Sequence, residues 1–221
     1  MIRFIRPALA VLLLAACESQ PAPEAEPPAP MAPPRAQTLA DTLMVEGMPQ
    51  PTTATLLSTP PGTPMPFSTY VPEGIATDFE GAADTVAVRF AAAFSPESDP
   101  NAYMHVRFYV PGTTVADARE TLNAFLVGRQ PDDDPVGDQP RDQPYEVMDT
   151  PPAWADEGYS IMYVGEGNVY YSAVLILASR GGRVFHVLTH YPAEYGDGLG
   201  PRFDFILRHW RWDDTGDMLV Q

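Results

Sequence analysis

Five consecutive apolar residues, Val174-Leu175-Ile176-Leu177-Ala178, lie in the last third of the chain. A strand of that pattern has no polar face to turn to water, so it predicts a central strand covered on both sides. One layer of helix cannot bury it, and the fold must supply two covering layers. Its neighbours in sequence supply the sheet. Residues 158–164, 169–178 and 183–191 read as a three-stranded meander. The turns are Gly165-Glu166-Gly167-Asn168 and Gly181-Gly182, the second a strong two-residue hairpin signal.

The rest of the apolar pattern extends this picture. Phe67-Ser68-Thr69-Tyr70-Val71 is a short strand ended by Pro72-Glu73-Gly74. Over 84–94, Val86, Val88, Phe90, Ala92 and Phe94 share one face. Over 103–110, Met104, Val106, Phe108 and Val110 alternate with Tyr103, His105, Arg107 and Tyr109. The period then changes from two to that of a helix. Val115, Ala118, Leu122, Phe125 and Leu126 predict a helix over 114–127, opened by the capping-box pair Thr114 and Asp117. Phe203, Ile206, Leu207 and Trp210, at i, i+3, i+4 and i+7, predict a second helix over 202–210 docked through one stripe. The expected class is α+β: a single α/β/α sandwich over 67–221, with a twisted antiparallel sheet and the two helices on opposite faces.

What precedes residue 67 has a different composition. Residues 18–66 hold half of the 26 prolines, and 20–35 alternate Pro, Ala and Glu with almost no large apolar side chain. Such a stretch buries too little surface to offset chain entropy, so a disordered, extended tether is expected over 17–66. Within it Leu43, Met44 and Val45 mark a short element packed on the domain.

The first residues carry a targeting signal. Arg3 and Arg6 precede the apolar run 8–14, and Ala15-Ala16 precede Cys17, the one cysteine of the chain. That is a charged region, a short apolar region and a small-residue cleavage site. The run is far below the ~20 residues of a membrane-spanning helix. Leu14-Ala15-Ala16-Cys17 resembles the lipobox of bacterial lipoprotein precursors. The resemblance implies a signal peptide over 1–16, cleavage before Cys17, and acylation of that residue with palmitate-like chains. Glu18, in place of aspartate, implies the outer membrane, facing the periplasm, in a Gram-negative host. With Cys17 acylated no thiol remains for disulfides, thiolate metal sites or nucleophilic catalysis.

Charge narrows the partners. The formal net charge is −16, and loss of Arg3 and Arg6 with the signal takes the 13 basic residues to 11 against 29 acidic ones, a formal −18. That balance opposes binding to nucleic acid phosphates or to an anionic lipid surface.

The segments Phe67-Ser68-Thr69-Tyr70-Val71-Pro72-Glu73-Gly74 and Arg202-Phe203-Asp204-Phe205-Ile206-Leu207, with the order of elements between them, resemble the Mog1/PsbP-type fold over about residues 66–212. Members of that family serve as photosystem extrinsic subunits, small-GTPase-binding factors and lipid-anchored envelope proteins. The resemblance implies binding and assembly roles and carries over no catalytic residue.

Candidate sites are few. His186 and His190 share strand parity, yet four residues along a strand separate them by about 13 Å, too far to share one zinc. They read as polar or half-buried side chains on a sheet face. His105 and Arg107 read as solvent-facing alternation, with lining of a pocket as the other reading. In Asp132-Asp133-Asp134-Pro135-Val136-Gly137-Asp138, three positions match a calcium loop. Val136 and Gln143 fail at the fifth and twelfth, which leaves a solvated acidic loop. No Gly-x-Ser-x-Gly, His-Glu-x-x-His or phosphate-cradling glycine loop occurs. Aromatic residues concentrate around the meander (Trp154, Tyr159, Tyr163, Tyr170, Tyr171, Tyr191, Tyr195) and at Trp210 and Trp212. An exposed subset of these would form a partner surface. The sequence thus predicts an envelope binding or assembly lipoprotein without catalytic activity, cofactor or metal. It meets the membrane through lipidated Cys17, binds an envelope protein partner, and binds no nucleic acid. A small-molecule carrier or an unrecognised hydrolase are the alternatives.

Overall fold

The structure, a computed structural model, describes residues 33–82, 85–93, 99–127 and 145–221. Cys17, residues 128–144 with their acidic loop, and the side chains of Leu122, Phe125 and Leu126 lie outside the described residues. Strand begins well ahead of Phe67, in the proline-rich stretch expected to be tether. β1 (Thr38–Val45) and β2 (Met48–Ser58) form an antiparallel hairpin. Its turn, Glu46-Gly47, has both φ values positive, at 52° and 72°, as a tight two-residue turn requires. Pro49 and Pro51 pair opposite Met44 and Thr42. Because Val45 and Met48 flank the turn as a hydrogen-bonded pair, these prolines fall at the alternate positions, whose nitrogens face away from β1. β3 (Phe67–Pro72) reaches β2 only from Ala54 to Ser58. The missing proline donors therefore cost no ladder bond.

The remaining strands are β4 (Ile75–Ala82), β5 (Thr85–Ala92), β6 (Tyr103–Phe108), β7 (Glu146–Val147), β8 (Glu157–Val164), β9 (Tyr170–Arg180), β10 (Arg183–Pro192) and β11 (Arg211–Trp212). The helices are α1 (Val115–Val127) and α2 (Gly196–Arg208). All strand pairs are antiparallel, in a four-stranded sheet ordered β1-β2-β3-β11 and a seven-stranded sheet ordered β4-β5-β6-β10-β9-β8-β7. The meander is β8-β9-β10, and Gly181-Gly182 turn it with φ of 56° and 74°. The Thr114–Asp117 box forms reciprocally: Thr114 N–H donates to Asp117 Oδ2 at 2.9 Å and Asp117 N–H to Thr114 Oγ1 at 3.1 Å.

The expected α/β/α sandwich is corrected. The protein is mostly β, 51 % strand against 16 % helix, with two antiparallel sheets and only two helices among the described residues. The reason is coverage. A seven-stranded sheet is about 30 Å wide at ~4.8 Å per strand, whereas a 13-residue helix is about 20 Å long and ~10 Å across. A single helix cannot roof such a face. On one face, Met104, Val106 and Phe108 of β6 and Phe185 and Val187 of β10 are covered by α2 through Leu199, Phe203 and Ile206. Phe67 of β3 and Trp212 of β11 complete that cover from the second sheet. On the other face, α1 places Ala118 and Val115 over Leu175, Leu177, Val184 and Leu188. Arg119 of α1 bonds both carboxylate oxygens of Glu157 on β8, one at 2.8 Å. Leu175, Ile176, Leu177 and Ala178 are all buried, as a strand covered on both sides must be.

The second sheet has its own core, in which Phe205 of α2 is fully buried among Leu43, Val45, Ala54 and Tyr70. The chain enters it through a clamp. Arg35 donates to the carbonyls of Ser68 and His209, each at 2.9 Å, and its guanidinium lies 4.3 Å over the Tyr70 ring. Tyr70 O–H donates to Ala36 O at 2.9 Å, and Arg211 to Pro33 O at 3.0 Å. No helix among the described residues is long and apolar enough to cross a membrane.

Two outcomes follow for stability. Phe205→Ala is expected to lower the unfolding free energy by about 3–5 kcal/mol in urea titration, the range for a buried phenylalanine; a loss below about 1 kcal/mol would mean the hairpin core does not form. Limited proteolysis is expected to keep residues 38–58 in the resistant fragment, with no stop near Phe67.

Candidate functional site

The larger sheet sorts its side chains by chemistry. Even positions of β6 are apolar and enter the core shared with α2, while odd positions, Tyr103, His105 and Arg107, face the α1 side. β10 pairs with β6 so that His186 is opposite Arg107, Leu188 opposite His105 and His190 opposite Tyr103. Alternation on two strands, brought into this register, collects histidines and tyrosines on one face.

Two clusters result. In the first, His186, only 3 % exposed, is held at both ring nitrogens. Tyr109 OH lies 3.0 Å from Nδ1, and His105 Nδ1 lies 3.2 Å from Nε2. A neutral imidazole has one donor and one acceptor, so the chain of bonds runs in one of two senses. Either Tyr109 O–H donates inward and His105 presents an N–H outward, or every bond reverses. Burial, then the neighbouring His105 and Arg107, hold His186 down at a pKa of about 3. His105 is lowered too, by burial first, with Arg107 and Arg89 adding to the effect and Glu80 opposing it. The Tyr109 hydroxyl is raised by burial. In the second cluster His190, 2 % exposed, has Tyr163 OH 2.6 Å from Nε2. Its ring stacks on Tyr171 at 5.1 Å and lies 5.2 Å from Tyr103, over which Arg89 sits at 4.5 Å.

The sequence read His186 and His190 as polar or half-buried side chains on a sheet face, and His105 with Arg107 as solvent-facing. His186 and His190 are fully buried and have separate partners. His105 is part of the relay, whereas Arg107 is exposed, 5.8 Å over the Tyr109 ring. Sequence reasoning missed Tyr109 and Tyr163 as histidine partners; only strand register, which is not local, brings them together. The chemistry available is that of neutral imidazoles bonded to phenols. Among the described residues the partners of His186 are His105 and Tyr109, neither of them a carboxylate, serine or cysteine. Among the described residues, no three His, Asp or Glu side chains converge in a metal-binding arrangement.

Two further features lie on the surface of the described residues. A pocket of about 230 Å³ is lined by residues that include Thr55, Leu57, Val71, Pro72, Ile75 and Thr77. That is below the ~300–1,000 Å³ usual for ligand sites. At the far end of the β8–β9 hairpin, Met162 is 66 % and Tyr170 50 % exposed. Met162 pairs with Ser172 and Val164 with Tyr170, so Met162 and Tyr170 are diagonal neighbours on one face. Trp210 and Trp212 belong to the core, at 1 % and 2 % exposure. No protein-family model matches the chain, and no curated protein matches it closely enough to count as a relative.

The His186 environment fixes a pH dependence. Its folded pKa of about 3 lies below the ordinary value of about 6.5. The unfolded chain therefore takes up the proton first, and stability present above pH ~6.5 is lost as pH falls toward ~3, by about 1.4 kcal/mol per pH unit. His186→Gln, which cannot titrate, is expected to flatten unfolding free energy against pH by that slope between pH 6 and 4. An unchanged slope in denaturant titrations would show that His186 is not held neutral.

Proposed function

We propose that this chain is a lipid-anchored protein of the bacterial cell envelope that acts by binding another envelope protein, without turnover of its own. The observation that carries the reading is Leu14-Ala15-Ala16-Cys17 directly after a charged and then an apolar segment. On this reading residues 1–16 are removed and Cys17 carries the acyl chains. Several chains are needed because one acyl chain holds a membrane only marginally. Glu18 favours the outer membrane, facing the periplasm, in a Gram-negative host.

The folded part fits this role physically. From Cys17 to the clamp at Pro33 is a covalent span of at most about 55 Å at ~3.3–3.6 Å per residue. A partner must come within that distance, plus the width of the domain, of the membrane surface. With residues 1–16 removed, the formal charge of −18 (11 basic against 29 acidic residues) keeps the domain off anionic headgroups and nucleic acid. Met162 and Tyr170 at the rim of the larger sheet supply the apolar and aromatic contact that protein interfaces favour.

The anchor is tested by fractionation. Wild type is expected in the membrane fraction and labelled by a fatty-acid probe, and Cys17→Ser soluble and unlabelled; membrane retention of the variant overturns the reading. The binding role is tested by crosslinking in intact envelopes. A protein adduct is expected with wild type and at least ten-fold less of it with the Met162→Ser, Tyr170→Ala double variant, consistent with the ~1.4 kcal/mol that one good interface anchor exceeds. No adduct with either protein counts against a protein partner.

A further inference from the structure

β1 lays one face on the end of α2. Its odd positions share that face: Leu43 and Val45 are buried and Leu39 half-buried in the core that Phe205 enters. Asp41 is the one polar residue of that series, set between Leu39 and Leu43. Opposite it stands His209, the residue that closes α2. Each side chain is fixed by a bond of its own where the two meet. Asp41 Oδ1 accepts from Thr42 N–H at 2.7 Å, and Asp41 Oδ2 lies 3.5 Å from His209 Nε2. His209 Nδ1 lies 2.9 Å from Phe205 O.

These partners decide the proton count. A carbonyl oxygen only accepts, so His209 Nδ1 carries a hydrogen. A neutral imidazole has one N–H, and with that one on Nδ1 the Nε2 lone pair would face a carboxylate that also only accepts. Only the doubly protonated ring donates to both. Its place in the fold suits a cation. Phe205 O is among the last carbonyls of α2, at the negative end of the helix dipole, and it also accepts His209 N–H at 3.1 Å. The other titratable and charged groups around the ring are Tyr70 of β3, 5.9 Å away edge-on, and Arg35, which donates to the His209 carbonyl. Arg208 and Arg211 flank His209 in the chain, Arg211 lying 3.5 Å from Asp213. The arginines oppose the added charge, and Asp41 is the carboxylate that answers it. We infer that His209 and Asp41 form a proton-dependent latch, which seats the β1–β2 hairpin on the end of α2 in acid and slackens it as the medium turns alkaline. The contact attracts only while His209 is charged. The stability it adds is therefore present at low pH and lost as pH rises through the imidazole range, opposite in sense to His186. With the two side chains 23 % and 42 % exposed, water screens the pair and keeps the effect modest.

The test is a double-mutant cycle on the full chain carrying Cys17→Ser, built from Asp41→Asn and His209→Gln and read by urea unfolding. It is run at about pH 5.5 and about pH 8.5, on either side of the ordinary imidazole value of about 6.5. Asparagine keeps the oxygen that Thr42 N–H needs, and glutamine cannot take up a proton. His186 is common to all four proteins, so its own pH dependence cancels. In acid the two side chains are expected to be coupled by roughly three-fold in the folding equilibrium constant, the size usual for a surface ion pair. In alkali the coupling is expected to fall below about 1.3-fold on the same scale. Should His209→Gln not fold, Asp41→Asn alone decides the matter. With His209 in place, it is expected to lower the equilibrium constant roughly three-fold in acid and to leave it nearly level in alkali. Coupling that is absent in acid, or as large in alkali as in acid, would overturn the inference.

Discussion

The stacking of Phe67 on Trp210, ring centroids 3.7 Å apart, is the contact through which two sheets become one domain. Phe67 belongs to β3 of the smaller sheet and Trp210 follows α2. Phe67 also lies 5.9 Å from Phe108 and 6.4 Å from Phe79, both in the larger sheet. Trp212 adds edge contacts to Phe108 and Phe185. Aromatic pairs of this kind contribute about 0.5–1.5 kcal/mol each beyond the area they bury, and here they sit where neither sheet could close its apolar face alone. Removing this cluster would leave the seven-stranded sheet with one helix per face, which is too little cover for its width.

Local chemistry in the chain was legible. The meander, the Gly181-Gly182 turn, the Thr114–Asp117 cap and the apolar stripe of α2 each depend on residues close in sequence, and each has its own periodic or turn signature. The β1–β2 hairpin was not legible. Its prolines read as disorder, and only the fact that β3 pairs with β2 no farther than Ala54 makes Pro49 and Pro51 harmless. Glu46-Gly47 was the available signal, weaker than an Asn-Gly pair but of the same backbone type. That misreading also produced the wrong architecture, because the residues assigned to a tether are two strands of the second sheet.

The histidine face shows a similar limit. Parity along β10 placed His186 and His190 on one side, spacing set them about 13 Å apart, and parity along β6 grouped His105 only with Arg107. What parity could not give was the register across strands, by which Tyr109 and His105 reach both nitrogens of His186. A buried imidazole is tolerable here because both polar atoms are partnered, not because it is solvated. Burial, with His105 and Arg107 beside it, confines it to the neutral form. The larger sheet thus has one face held by packing alone and one in which packing and a specific proton arrangement must agree.

The Pro33 to Gln37 clamp has a mechanical consequence. Any pull on the N-terminal segment meets Arg35 and Tyr70 before it meets the β1–β2 ladder, since Arg35 is tied to Ser68 in β3 and to His209 at the end of α2. Load is then passed at once to two distant parts of the chain. Without that clamp the same pull would open β1 from its first pair, Thr38 with Thr55, one bonded pair at a time, as a zip opens. The clamp instead makes several hydrogen bonds and a cation–ring contact fail together, which is the stiffer arrangement.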